Sequence, residues 1–361
     1  MKKDKPAIAN LSRKLKTVHF LVIYFCLTTI SVIIHNRLVD TPSLAQGRSW
    51  HQEIIQGNGP APNQYRILPH LLGEWLIRAG LPFLDAFLFL RWFFTFLGVV
   101  LFHFYLRAWF KEEICLLGGL FLIAALPLTY LGYFMQPADC LGFVFFVLGC
   151  WFIRDRKDGF LAPVILLGML NKETTVILIL VYLFYRYDEL SLKNLLLRLG
   201  GFLLPAAAGY FAVRQYYPSR PFYCAFYWYE QNFSDPRAYF YPLLIFSGFL
   251  FAAFQGWSGK GKFLRRSALM LPFFVLIHWM IAQISEIRLF LPLFPIIIPL
   301  GMAYFFPPTI AGDKPVAVNY LTRTKPLILY LSIWLLFAIF FTGYCRHNQK
   351  KYLTQQRYSN R

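Results

Sequence analysis

Acidic residues are scarce in this sequence: 17 Asp and Glu stand against 36 Lys and Arg, a formal net charge of +19 at pH 7. Charged residues of both signs make up only 15% of the 361, against the two soluble domains that this length would otherwise suggest. The cysteines (26, 115, 140, 150, 224 and 345) show no C-x-x-C pair and no Cys/His ligand spacing, so no zinc site is read from them. Most lie in apolar runs, where a thiol serves as a small core side chain. An Asp-x-Asp pair is missing as well, so no obligatory metal ion and no separate cofactor are expected. There is also no internal repeat, which argues against transporter folds built from repeated halves.

What is present is apolar. Hydrophobic residues make up 58% of the chain, with 39 Phe among them. Repeated apolar segments approach the ~20 residues that cross a ~30 Å hydrocarbon core as helix, so the fold expected is all-α and polytopic. Backbone groups in lipid must bond within their own segment, which leaves helices rather than open sheet. The positive charge is therefore read as a topology signal and an affinity for anionic headgroups, with the bilayer and not nucleic acid as partner.

Residues 1–17 carry Lys2, Lys3, Lys5, Arg13, Lys14 and Lys16 ahead of the first apolar run, 18–35, which places the N-terminus in the cytoplasm. No small-residue cleavage site follows that run, so it reads as a retained helix. A connection of about fifty residues, 36–85, then lies outside, too aromatic and patterned for disorder. Within it 49–56 reads as a short amphipathic helix, 57–62 as a breaker cluster, and 71–79 as a helix along the interface.

Further spans are read at 86–106, 114–131 and 138–153. Segments 160–170 and 174–185 are too short to span alone, and Lys172-Glu173 lies between them. Either they form one helix with these charges near mid-bilayer, or a helical hairpin turns there. The hairpin avoids lipid-exposed charge and is the reading adopted. It yields about eleven membrane helices in one transmembrane domain, 18–344, and a basic tail, 345–361, on the outer side. That tail runs against the positive-inside rule.

With this topology, Asp40, Glu53, Arg66, His70, Asp139, Lys172, Glu173, the aromatic loop 214–240, Glu286 and Arg288 all fall on the outer face. Ser285-Glu286-Ile287-Arg288 sits between apolar runs 268–284 and 289–306, a connection with room only to turn. Charge kept beside a bilayer marks a candidate functional site. The bland alternative is a helix-end pair snorkelling to headgroups. Clustering on one face suits chemistry on a lipid-borne substrate.

Three stretches also resemble a family: Tyr65-Arg66-Ile67-Leu68-Pro69, Asn171-Lys172-Glu173-Thr174, and Glu286-Ile287-Arg288-Leu289-Phe290-Leu291-Pro292. They are similar to motifs of bacterial polytopic GT-C glycosyltransferases, the mannosyltransferases and aminoarabinose transferases that use polyprenyl-phosphate sugars. The resemblance extends from the first helix to about Phe306. It implies a place in the bacterial inner membrane and inverting transfer from a polyprenyl-phosphate-linked sugar to a saccharide or lipid acceptor. It also implies a carboxylate base in the first outer loop, for which Asp40 and, second, Glu53 are the candidates. Arg66, Lys172 and Arg288 would then face the phosphate, while Glu173 and Glu286 would orient those cations or bind the acceptor, with Asp139 nearby.

Each residue has a structural alternative. Asp40 also fits the start of the turn Asp40-Thr41-Pro42-Ser43. Asp139, two residues after Pro137, also fits a helix N-cap region. Arg66 also fits a headgroup anchor. Two other classes of function fit the same charges: a transporter or flippase of lipid-linked saccharide, which needs the cations without a base, and a non-catalytic membrane component of a polysaccharide assembly system.

Overall fold

Apolar runs bounded by Pro, Gly and charge set the element boundaries in the computed structural model, which describes residues 5–38, 41–59, 61–129, 137–217 and 227–306, with Ser332 besides. The described chain is all-helical, without a strand. The helices are α1 (Lys5–Leu38), α2 (Thr41–Ile55), α3 (Ile67–Arg78), α4 (Phe83–Leu106), α5 (Glu112–Thr129), α6 (Pro137–Arg154) and α7 (Asp158–Asn171). They continue as α8 (Ile177–Arg186), α9 (Leu192–Tyr216), α10 (Tyr227–Ser234), α11 (Pro236–Phe254), α12 (Lys262–Ser267), α13 (Leu271–Ile281) and α14 (Phe294–Phe305).

Four helical stretches among the described residues are long and apolar enough to cross a membrane: Val18–Asn36, Phe83–Leu106, Leu192–Tyr216 and Ile287–Phe305. The bent pair Pro236–Leu243 and Gly248–Phe254 makes a fifth if it is one span. Among the described residues length and apolarity pick out four or five candidate spans. α7, α8 and α13 hold 14, 10 and 11 residues, below spanning length, and 307–331 and 333–361 lie outside the described residues.

Two boundaries differ from the sequence reading. α1 begins at Lys5, so the basic segment before residue 18 continues the first helix. Lys and Arg are good helix formers, and nothing there breaks the run. α2 starts at Thr41 rather than residue 49, because Pro42 is tolerated in a first helical turn.

α1 runs antiparallel to α4. The Tyr24 hydroxyl pairs with His103 Nδ1 at 2.7 Å, and nearer the other end Trp92 Nε1 donates to Thr29 at 3.0 Å. α6 and α7 are antiparallel as well, since Asn171 at the end of α7 donates to the Ala138 carbonyl at the start of α6 (2.8 Å). The chain then reverses. Lys172 is extended (φ −163°, ψ 129°), Glu173–Val176 is a 3₁₀ turn, and α8 returns along α6 with Leu178 against Gly149. The Tyr182 hydroxyl donates to Asp158 at 2.9 Å, closing the open end of the hairpin. Gly168 permits the reversal: a Cβ there would lie 2.3 Å from Thr175 Cγ2, inside contact distance.

Reversal at Lys172 gives the bundle two charged ends. α6 spans the gap between them, with Asp139 in its first turn and Arg154 in its last, about 22 Å apart at 1.5 Å per residue. Near Arg154 lie Arg156 and Arg186, both paired to Glu189, and Lys262 and Arg266, both paired to Asp188. The Lys262 bond holds the Asp188 carboxyl below its usual range. Between the ends the core is apolar, built from residues such as Phe102, Phe143, Phe146, Leu178 and Phe274.

Candidate functional site at the Asp139 end

Asp139 stands at the centre of this end, buried in the first turn of α6. Its carboxylate does not cap the helix. Oδ1 accepts from Lys172 Nζ at 2.6 Å, and Oδ2 accepts from Arg288 Nη1 at 2.9 Å. Lys172 reaches it because the extended residue between α7 and the 3₁₀ turn points its side chain back along α6. Arg288 reaches it from the 3₁₀ stretch Ile287–Leu293, which leads into α14. Glu286, one residue before that stretch, takes the other arm of the guanidinium: Arg288 Nη2 donates to its Oε2 at 2.5 Å.

A second, looser group lies alongside. Glu173 receives Arg214 Nη2 at 3.3 Å from the end of α9, and Arg66 Nε stands 3.7 Å from its other oxygen. Arg66 also donates from Nη1 to Asn63 Oδ1 at 3.0 Å, while its Nε has no hydrogen-bond partner among the described residues. The Arg214 guanidinium lies over the rings of Tyr65 (4.0 Å) and Tyr210 (3.5 Å), a cation–π arrangement that fixes its plane.

Exposure separates the two groups. The side chains of Asp139, Lys172 and Arg288 are 2–9% exposed; those of Arg66, Arg214 and Glu173 are 17–27% exposed. Tight, desolvated ion pairs of the first kind lock elements together, at the cost of leaving any orphaned partner badly placed. The second kind, with longer contacts and water at hand, can exchange one partner for another. Four cations and three carboxylates leave the whole cluster one positive charge in excess.

The sequence reading places Arg66, Asp139, Lys172, Glu173, Glu286 and Arg288 on one face, and the structure brings all six to this one end. It differs in one respect. An anion held between Lys172 and Arg288 would need the position that the Asp139 carboxylate fills. Glu53 is not part of the cluster; its carboxylate accepts from Ser49 Oγ at 3.1 Å on α2. Asp40 lies outside the described residues, as does most of the aromatic part of loop 214–240. Arg214 is a component that sequence reasoning did not assign, though Tyr210 four residues earlier places a ring on its own helix face. No group of three or more His, Cys, Asp or Glu among the described residues is arranged to hold a metal ion.

Between α2 and α3, His51 Nε2 pairs with Glu74 Oε2 at 3.3 Å and His51 Nδ1 with His70 Nδ1 at 3.1 Å. Burial pushes His70 down to about 3, with His51 beside it adding to the effect. The same helix, α3, turns Leu71 and Trp75 outward, the latter 69% exposed, as expected of a helix lying at an interface.

Fold and cluster together define a protein all-helical among its described residues, with helices long and apolar enough to cross a membrane and a buried ionic cluster at one end of its bundle. Compared with known proteins, the chain matches no family model, no curated protein and no solved structure.

Proposed function

We propose that this protein is a GT-C-type membrane glycosyltransferase of about eleven helices in the bacterial inner membrane. It moves a sugar from a polyprenyl-phosphate-linked donor to a saccharide or lipid acceptor on the extracytoplasmic face. The observation that carries this reading is the convergence of Arg66, Lys172, Arg214 and Arg288 at one end of the bundle, with one positive charge in excess.

In this reaction the acceptor oxygen bonds to the anomeric carbon as the carbon–oxygen bond to phosphate breaks. The acceptor proton passes to a carboxylate, for which Asp40 and, second, Glu53 are the candidates. Negative charge builds on the departing polyprenyl phosphate, and preset cations lower the barrier by meeting it. Arg66 and Arg214 suit that task best. Their bond to Glu173 is long, and a phosphate can displace it, whereas Lys172 and Arg288 already share Asp139. Asp139, Lys172, Arg288 and Glu286 then hold the turn that presents Glu173, the partner of Arg66 and Arg214.

A second reading has one observation in its favour. Asp139, with Glu286, neutralises the two most buried cations of the cluster, as it would in a flippase or a non-catalytic component that needs the cluster only for architecture. Purified protein in proteoliposomes with polyprenyl-phosphate sugars separates these readings. As an enzyme it releases polyprenyl phosphate, and Asp40→Asn stops release while donor binding survives. A flippase moves donor across the bilayer without release, and Asp40→Asn leaves that movement intact.

A further inference from the structure

A polar row runs through the bundle apart from the ionic cluster. α1 packs against α4 and α5, and only four side chains of its span Val18–Asn36 are buried: Tyr24, Thr28, Ser31 and His35. Each carries a hydroxyl or an imidazole, while the aliphatic side chains of this span are exposed or half-buried. Spaced four, three and four residues apart, they share one helix face, about 5–6 Å from one to the next. The row reaches both ends of the bundle. Toward the Asp139 end, His35 Nδ1 accepts from Arg91 Nη1, and Thr95, one turn along α4 from Arg91, donates to Cys140 beside Asp139 at 3.6 Å. Toward the Arg154 end, Tyr24 pairs with His103, and His103 Nε2 lies 3.2 Å from Glu112 Oε1. The carbonyl of Tyr105, two residues beyond His103, accepts from Arg154 at 2.7 Å. From Arg91 to His103 the rise along α4 is about 18 Å.

The partners fix the tautomers. A carboxylate only accepts, so His103 Nε2 carries hydrogen and Nδ1 accepts from the Tyr24 hydroxyl. Gly119 leaves room for that hydroxyl, since a Cβ there would lie 2.4 Å from its oxygen. A guanidinium only donates, so His35 keeps its hydrogen on Nε2. Between the two imidazoles, Ser31 donates to the Ile123 carbonyl of α5 at a long 3.4 Å. Thr28 Oγ1, on a fully buried side chain, has no hydrogen-bond partner among the described residues. Interhelical hydrogen bonding would explain the paired side chains. It does not explain Thr28, a buried hydroxyl with nothing to bond, placed in file with two imidazoles and a carboxylate. Ionisable groups are costly inside a spanning bundle, and rows of them mark proton relays.

We propose that this row is a proton path between the two charged ends, running through His35, Ser31, Thr28, Tyr24, His103 and Glu112. A water at each turn of α1 bridges the gaps and gives Thr28 its partner. A proton arriving at Tyr24 Oη from the Thr28 side sends the Tyr24 proton to His103 Nδ1. The His103 Nε2 proton then passes to Glu112, which is part-exposed and releases it to water. Rotation of the ring and hydroxyl resets the row, and no other reactant is consumed. The path stands on its own geometry and does not rest on the function proposed above.

Proton flux into proteoliposomes of the purified full chain tests this. A potassium potential set by valinomycin, negative inside, drives the flux, and internal pyranine reads it. Wild-type vesicles acidify faster than protein-free vesicles, and sodium does not replace the proton. Thr28→Val with Tyr24→Phe removes two hydroxyls at almost no change in volume. It slows acidification at least about tenfold, as for a barrier raised by one or two hydrogen bonds. Thr28→Val alone slows it too and leaves the melting midpoint in place, because that hydroxyl bonds to no described residue. Wild-type flux equal to that of protein-free vesicles overturns the proposal. Full flux in the double variant overturns it as well and makes the row an interhelical contact only. Sodium entry at the same rate overturns it in favour of an open pore. A chain that retains polyprenyl phosphate without carrying protons sinks the path and leaves the donor reading standing; proton flux without retention does the opposite.

Discussion

Asp139 and Arg288 are 149 positions apart in sequence, and their Oδ2 and Nη1 atoms are 2.9 Å apart. With Lys172 on Oδ1, one carboxylate joins the start of α6, the hairpin turn and the stretch leading into α14. Three elements distant in sequence are thereby held at one point.

Removing that carboxylate therefore leaves the buried Lys172 ammonium without its carboxylate and Arg288 with Glu286 alone. Asp139→Asn is expected to cost about 3–5 kcal/mol, the usual range for breaking a buried pair. Combining it with Arg288→Met costs less than the sum of the single changes, because the two residues are paired directly and each single change already removes that contact. Thermal unfolding in detergent measures both. An unchanged midpoint in Asp139→Asn contradicts the structural role of the lock.

Arg214 behaves differently. Its removal leaves Glu173 with Arg66, so stability changes by no more than about 1 kcal/mol. Lipid-phosphate binding falls nonetheless. Arg214→Lys does not restore it, since an ammonium has no planar fork to lie against Tyr65 and Tyr210 while pairing with Glu173. Binding and melting followed in parallel distinguish this from a folding defect.

His70 supplies a pH dependence. The folded protein keeps it neutral down to about pH 3, whereas the unfolded chain takes up a proton near 6.5. The unfolded state then binds more protons in that window, so stability falls as pH drops below about 6.5. His70→Gln flattens the melting profile between pH 6.5 and 4.5. A wild-type profile that rises on acidification, or one that His70→Gln leaves unaltered, contradicts the buried neutral imidazole.

The function proposed above requires the two charged ends to lie on opposite sides of the membrane. In a background lacking the native cysteines, Ser234→Cys and Ser285→Cys are labelled by an impermeant maleimide in intact cells. Ser258→Cys and Gly159→Cys are labelled only after permeabilisation. Labelling of all four alike rules out the two-sided arrangement.

Much of this was legible in the sequence, and particular residues show why. Lys172-Glu173 breaks two runs too short to span, so a reversal there is the arrangement that keeps charge out of lipid, and the structure has it. Glu286 pairs with Arg288 because a two-residue spacing on a tight turn leaves few alternatives. That Asp139 sits between Lys172 and Arg288 could not be read. An Asp after Pro137 looks like a helix cap, and its real partners are fixed by tertiary packing. Arg214 was missed for a similar reason: a lone Arg ending an apolar helix reads as an interfacial anchor until Tyr65 and Glu173 are seen beside it. The full length of α2 is not legible because Thr41-Pro42-Ser43 fits a turn as well as the first turn of a helix.

The central claim is that this end of the bundle recognises the phosphate of a polyprenyl lipid, and native mass spectrometry of the purified chain with added polyprenyl phosphate tests it most directly. Wild type is predicted to retain one lipid, and Arg66→Ala with Arg214→Ala to lose it while the melting midpoint changes little. Equal retention by the double variant, or no retention by wild type, contradicts the claim.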